Sequence, residues 1–446
     1  RHSKMAISDF IENVKIQNNC QNTKDELFIS TNLAFGVLCS IFEFVFKYTK
    51  VSFLIILFFF ILYILYKSYW SPVFYAKELS EVGFDHLPKG KDRSLHIIRA
   101  QRARRFGSKL PPPYPNGWFA LVESRDLKVG GVVAVDALGL NLCVYRGEDG
   151  TARVVDAYCP HLGANLAVGG NVCGNCIECP FHQWKFGEDG QCVSIPQTET
   201  VPKGISIKTY PCMEIDGSVW VWYDVEGRPP LWTVEESDET KNWGYRGRNE
   251  FLVNAHIQEI PENGADVSHL NAVHNISLLT DVGYKYPFLN NIIGCHNWSA
   301  EWSKGEVDHL AHIKIAHQYI IMKFDVFPIN VTVHQIGPAH VRLRFYSPLG
   351  PMTIIQSVTP IAPLVQKVVH RVYTPKYNAI LGAALVLMEA YQFARDVAIW
   401  NNKRYVSSPA YVKNDKTIRT FRSWFSQFYS ERSVSLKDAL QNPLDW

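Results

Sequence analysis

Cys159, His161, Cys179 and His182 share one stretch, YCPHLGANLAVGGNVCGNCIECPFHQW, residues 158–184. Each of its two short loops opens on Cys-Pro and sets a histidine two or three residues after the cysteine, so the spacing reads Cys-x-His, seventeen residues, then Cys-x2-His. Two thiolates and two imidazoles suit a [2Fe–2S] cluster in which sulfurs hold one iron and ring nitrogens hold the other. Gly163 lets the first loop turn tightly, and Gly169, Gly170 and Gly174 keep the intervening segment out of a helix. Zinc accepts the same ligand types, and Cys173, Cys176 and Cys179 form Cys-x2-Cys-x2-Cys. A zinc site and an unligated thiol cluster are therefore the competing readings, and neither explains the repeated Cys-Pro pair.

A second constellation lies downstream, where QEIPENGADVSHLNAVHN (residues 258–275) carries Asp266, His269 and His274. Two histidines and one carboxylate on one side of an ion are the usual protein ligands of an oxygen-activating non-haem Fe(II). By itself the run is a weak signal, because a histidine in a polar helix is more often a surface or hydrogen-bonded residue. Further carboxylates stand in the helical tract of residues 378–403, where Glu389 and Asp396 are seven apart and so share a face.

With both constellations in view, CPHLGANL and CPFHQWKFGEDGQC resemble the Rieske domains of Rieske non-haem iron oxygenases. Electron-transfer Rieske proteins of respiratory complexes typically carry a further cysteine in each loop. Those positions here are Ala164 and Phe181, which favours the oxygenase or ferredoxin branch. The resemblance implies that His269 and His274 ligate a mononuclear iron, and that QFARDVAIWNNK supplies Asp396 as the third ligand, with Trp400 four residues on. It also implies that Asp266 bridges the cluster of one subunit to the iron of the next, within a head-to-tail homotrimer. The HNISLLTDVG segment and QFARDVAIW are most similar to the Neverland-type cholesterol 7-desaturases, which implies a sterol substrate and 7,8-desaturation of cholesterol. O2 and NAD(P)H are the implied co-substrates. No Gly-x-Gly-x-x-Gly follows a strand, so electrons from NAD(P)H would arrive through a separate reductase. A sterol or lipid hydroxylase shares every ligand, whereas a Rieske electron carrier would need no second iron.

The elements that must position these residues are legible in outline. At 446 residues the chain exceeds one ordinary domain. The fold class expected is α+β: an N-terminal membrane helix, an all-β Rieske domain, then an α+β helix-grip-like catalytic domain. After the stiff LPPPYP (residues 110–115), short β-rich runs alternate with Gly and Asp turns up to SVWVWYD, which delimits residues 116–227 around the cluster motif. Residues 228–446 mix strands such as HVRLRFYSPLG with the long helical tract, as an α+β domain does.

Residues 51–66, VSFLIILFFFILYILY, are uncharged and flanked by Lys50 and Lys67, which predicts a single-pass membrane helix after an N-terminal segment of residues 1–50. A second apolar run spans residues 33–46. Residues 67–115 form a basic, Pro-rich connector whose lysines and arginines favour a cytosolic body, in the endoplasmic reticulum membrane. Three Asn-x-Ser/Thr sequences point the same way, because a glycan on Asn275 would obstruct the site beside it. A net charge of +3 argues against nucleic acid as a partner, and ten cysteines are too few for a disulfide scaffold of this length.

Overall fold

The computed structural model describes residues 50–103, 110–276 and 285–441. The apolar run of residues 33–46, Arg104, Arg105, Lys109 and most of HNISLLTDVG lie outside them. Arg1–Trp70 and Ser71–Trp446 form two units.

In the first unit, Lys50–Trp70 is an α-helix. Its large apolar side chains from Leu57 to Tyr66 are exposed. Among the described residues, however, no helix is long and apolar enough to cross a membrane. The sixteen residues 51–66 rise only about 24 Å at 1.5 Å each, against a hydrocarbon core of about 30 Å. The expected single-pass membrane protein of the endoplasmic reticulum with a cytosolic body is therefore corrected.

In the second unit, eleven of the described strands form three small sheets around the cluster region and the other eight form one large sheet. Strand β1 (Val73–Lys77) leads into β2 (Gly117–Glu123), β3 (Val132–Ala137), β4 (Leu140–Arg146), β5 (Ala152–Asp156), β6 (Asn171–Cys173), β7 (Cys176–Glu178), β8 (Lys185–Phe186) and β9 (Cys192–Ser194). Strands β10 (Thr209–Tyr210), β11 (Cys212–Ile215) and β12 (Ser218–Tyr223) complete three small sheets, ordered β10-β5-β4-β3, β11-β12-β2 and β6-β7-β8-β9. Strands β2, β4 and β12 carry runs of consecutive buried residues and so are covered on both faces, and Tyr145, Leu166, Ile177 and Phe186 form the core beneath the cluster loops.

Strands β13 (Gly244–Val253), β14 (Cys295–Lys304), β15 (Leu310–Ile321), β16 (Phe324–Ile336), β17 (His340–Ser347), β18 (Gly350–Ala362) and β19 (Val365–Thr374) join β1 in an eight-stranded sheet, ordered β1-β13-β19-β18-β17-β16-β15-β14. All its neighbours are antiparallel except β1 and β13. The helix Ala379–Trp400 packs on β13 and β19, burying Ala383, Val386, Ala390, Phe393 and Val397, which recur at helical spacing. The segment expected as a connector thus supplies a strand of the catalytic sheet. Its Pro-rich end is packed as well: Tyr114 is buried, and His256 Nε2 donates to the Pro112 carbonyl at 3.1 Å.

The cluster region and the large sheet meet at Asp216, in the β11–β12 turn, which is fully buried. Arg342 Nε donates to its Oδ2 at 2.7 Å, Ser237 N donates to Oδ1 at 3.0 Å, and His340 Nε2 lies 3.0 Å from Oδ2. Burial opposes ionisation, but these partners outweigh it and hold the Asp216 carboxyl far below the usual carboxylate range. Thr359 Oγ1 adds a hydrogen bond of 2.7 Å to the Ala120 carbonyl.

Gly247 faces Val73 across the β1–β13 ladder at φ +133°, and a Cβ there would stand 1.9 Å from the Val73 carbonyl oxygen. Gly247→Ala should therefore displace β1 and lower the thermal midpoint, corresponding to a loss of roughly 2–4 kcal/mol. Gly150→Ala, at φ +81° in open space, serves as the control and should cost about 1 kcal/mol; equal midpoints for the two would show that β1 is not held at this point.

Candidate active site

The two Cys-Pro loops have the same backbone hydrogen bonding. Cys159 N donates to Ala164 O and Gly163 N to Cys159 O, at 2.9 and 3.0 Å; Cys179 N donates to Trp184 O and Gln183 N to Cys179 O, at 2.8 and 3.0 Å. The fifth residue of each loop has positive φ, +73° at Gly163 and +59° at Gln183. Glycine meets that need without strain, whereas Gln183 adopts it at a cost of roughly 1–2 kcal/mol. Equivalent loops present equivalent ligands: Cys159 and Cys179 point inward and are buried, while the His161 and His182 rings lie 4.6 Å apart nearer the surface. Trp184 stacks on His161 at 4.2 Å, and Leu162 and Phe181 beside the rings are exposed.

Burial, together with the neighbouring Cys179, pushes the Cys159 thiol up to about 11. Two thiols set side by side in an apolar core become thiolates only with a metal to hold them. Sulfur inside and imidazole outside fit the two irons of a Rieske cluster. Cys173 and Cys176 instead face each other across the β6–β7 hairpin. Among the described residues, the group gathered tightly enough for a single ion is His269, His274 and Asp396, so the zinc reading of the cysteine run has no geometric support.

That second group is built from two elements. Asp266 caps the helix Val267–Val273, its Oδ1 accepting from Ser268 N at 3.1 Å and His269 N at 3.3 Å. Its backbone carbonyl also accepts from His269 Nδ1, which leaves His269 Nε2 free for a metal. His274 closes the same helix; its Nδ1 donates to Gln392 Oε1 at 2.9 Å, and its Nε2 lies 3.1 Å from Asp396 Oδ2. The ligand atoms of His269, His274 and Asp396 lie within 4.8 Å of one another, so two imidazoles and a carboxylate fit a mononuclear Fe(II). Burial opposes protonation of His274, but Asp396 outweighs it and raises the imidazole, a pocket that attracts positive charge. Glu389, the other carboxylate on this face, turns away to Asn249 and His370. Burial pushes it up to about 8, so it is a neutral acid at pH 7.

A cavity of about 500 Å³ opens on these three residues. The large sheet supplies an apolar wall that includes Ile315, Val331, Leu343 and Ile354, and the helix Ala379–Trp400 supplies Leu385 and Phe393. Polar groups are few, among them Glu389, Gln392, His296 and His317. His296 Nδ1 and His317 Nε2 are 2.6 Å apart, and burial lowers the two imidazoles to about 3 and about 4. The cavity wall is also tied to the metal helix. Asn271 Nδ2 donates to Trp298 O at 2.7 Å and its Oδ1 accepts from Trp298 N at 2.9 Å, while Trp298 Nε1 donates to His274 O at 3.1 Å. Gln392, Asn271, His296 and His317 were not singled out from the sequence. Their one signal is the alternation His296-x-Trp298 and His317-x-Tyr319, which turns each pair to a single strand face.

Residues 117–211 match the Rieske [2Fe-2S] domain family, and residues 221–429 match the 3-ketosteroid 9alpha-hydroxylase C-terminal domain family. The fold is shared with the crystal structure of Pseudomonas putida NdmA with caffeine, at TM-score 0.53 and 16% identity, covering 74% of this chain and 94% of that one. The chain is an oxidoreductase and belongs to the Rieske oxygenase family. Within it, a Bombyx mori protein named cholesterol 7-desaturase is 60% identical over 96% of this chain and 94% of its own length. A Xenopus laevis protein of the same name is 43% identical over 84% of each chain.

Removing either imidazole of the cluster pair, by His161→Ala or His182→Ala, should abolish the visible absorption of the cluster. His269→Ala and Asp396→Ala should keep that spectrum and lose the third iron, as counted by metal analysis. Retention of full iron content in Asp396→Ala would move the carboxylate role to Glu389.

Gln392→Leu removes the acceptor that orients His274 and should weaken iron binding by about 10–100-fold with the cluster spectrum intact. An iron titration with wild-type affinity would show that Gln392 does not act through His274.

Proposed function

We propose that this enzyme is a cholesterol 7-desaturase, converting cholesterol to 7-dehydrocholesterol with O2 and with electrons from NAD(P)H delivered by a separate reductase. The observation that carries the proposal is the largely apolar cavity lined in part by His269, His274 and Asp396, in a chain 60% identical to a protein of that name. The overall reaction balances as sterol, O2, NAD(P)H and a proton giving the 7,8-alkene, NAD(P)+ and two waters. When bound, the cluster held by Cys159, His161, Cys179 and His182 supplies single electrons, and the iron held by His269, His274 and Asp396 supplies O2 reduction and removal of two substrate hydrogens.

The chain's own residues do the positioning. Asp266 and Gln392 fix the ring orientation of His269 and His274 through the nitrogens that face away from the metal. The aliphatic wall excludes water and orients an apolar skeleton, which is the protein's share of catalysis in a cofactor enzyme. Burial raises the Glu389 carboxyl to about 8, which disfavours a second negative charge beside Asp396.

The match to a steroid hydroxylase domain favours one competing outcome, insertion of oxygen into a sterol C–H bond in place of desaturation. Mass spectrometry of sterols from cells that express the protein with a reductase and are fed cholesterol separates the two. A product lighter than cholesterol by two hydrogens is expected; a product heavier by one oxygen would replace desaturation with hydroxylation.

A further inference from the structure

His296 and His317 are buried imidazoles of the cavity wall that the iron site does not use, with 2% and 4% of their surface exposed; His370, as buried, is engaged at both ring nitrogens by Asn249 and Gln356. They stand on neighbouring antiparallel strands, where His296 is opposite Tyr319 and His317 is opposite Trp298, so the two rings meet on the diagonal. One contact joins them, His296 Nδ1 to His317 Nε2 at 2.6 Å. Their other nitrogens, His296 Nε2 and His317 Nδ1, are buried with no hydrogen-bond partner in the protein, and both side chains line the cavity. A buried unpaired polar atom leaves the loss of its water uncompensated, so an unpaired pair on a predominantly apolar wall calls for a ligand.

The chemistry of that ligand follows from the tautomers. A neutral imidazole has one N–H and one bare nitrogen. If His296 donates across the contact, its outer nitrogen is an acceptor and that of His317 a donor; if His317 donates, the roles exchange. The pair therefore always offers one donor and one acceptor, and burial keeps both rings neutral. A hydroxyl is the group that is donor and acceptor through one atom. A ketone, an ether or a carboxylate satisfies only half of the pair, and an alkane none. Gln392 Nε2, also unpartnered in the cavity, offers a donor alone, and its amide is committed through Oε1 to His274.

We infer that the His296–His317 pair is the element of the cavity that binds the alcohol of the sterol and sets its register against the iron ligands. The inference rests on the sterol reading above. In a sterol the alcohol and the carbons to be desaturated lie on adjacent fused rings, so an alcohol clamp and the iron ligands have to be close neighbours. They are: Trp298 rests its ring against His317 at 4.1 Å and donates its indole N–H to the carbonyl of His274.

The test is equilibrium binding of labelled cholesterol, of its 3-deoxy analogue and of its 3-methyl ether to the purified holoenzyme, without reductant so that nothing turns over. Wild-type protein should prefer the alcohol to the deoxy compound by about 100-fold or more, because the analogue leaves both imidazoles unpaired. His317→Phe and His296→Phe should each bring that ratio to within about threefold, and His317→Gln should restore part of it. A purely structural tie between β14 and β15 would weaken both ligands equally and leave the ratio unchanged. Wild-type protein that does not discriminate, or Phe variants that keep the wild-type preference with an intact cluster spectrum, would overturn the inference. If the Phe variants fail to hold a cluster, the wild-type and His317→Gln ratios decide. A wild-type enzyme that prefers the alcohol yet forms no 7,8-alkene refutes the desaturase reading and leaves the alcohol clamp standing.

Discussion

One buried carboxylate joins the small sheets around the cluster loops to the large sheet. Asp216 belongs to the sheet system that carries the cluster loops, and its charge is satisfied by Arg342 from the large sheet, with His340 alongside. Burying such a charge is expensive, and removing one partner of a buried pair typically costs 3–5 kcal/mol because the other is left uncompensated. Sliding or rotating one sheet system on the other would break these contacts. The β11–β12 turn is thereby a fixed point, and Arg371, which donates to Ser218 Oγ and Ser357 Oγ, reinforces it from β19. Rigid docking of this kind is what two metal centres need if their separation is not to wander.

The helix Ala379–Trp400 shows how much chemistry one helical face can hold. Glu389, Gln392 and Asp396 follow one another at intervals of three and four, so they stand in a row above the sheet. The first is tied to Asn249, the second accepts from His274, and the third lies with His269 and His274 in a group that could hold a metal ion. His370 continues the polar row into the sheet, between Asn249 Oδ1 at 2.9 Å and Gln356 Oε1 at 3.0 Å. The adjoining face, with Ala383, Val386, Ala390, Phe393 and Val397, is apolar where the helix packs.

How far the site could be read from the sequence depended on how local each part is. The cluster ligands come from two loops whose Cys-Pro pairs announce equivalent geometry, and His269 and His274 flank a single short helix. Spacing alone left Asp396 and Glu389 open, because they share a helical face; the resemblance of QFARDVAIWNNK selected Asp396, and the structure sets Asp396 beside His269 and His274 while Asn249 engages Glu389. His296 and His317 were invisible for a stronger reason. Their contact exists only in one register of β14 on β15, and a slip of one residue would turn both rings to the other face. The membrane expectation failed in a different way: intense apolarity was legible in residues 51–66, but apolarity is not length.

The outermost strand of the large sheet has an unusual neighbour. β14 shares a ladder with β15 on one side only, and on the other the side-chain amide of Asn271 takes both a donor and an acceptor position against Trp298, as a next strand would. Edge strands are held by fewer bonds and open at lower free energy than strands paired on both sides. Here the edge cannot move without pulling on the helix between His269 and His274, to which Trp298 is also bonded. The wall that admits the substrate and the backbone that aims the metal ligands are therefore one mechanical unit, and a ligand that spreads the wall changes the geometry around the iron at the same moment.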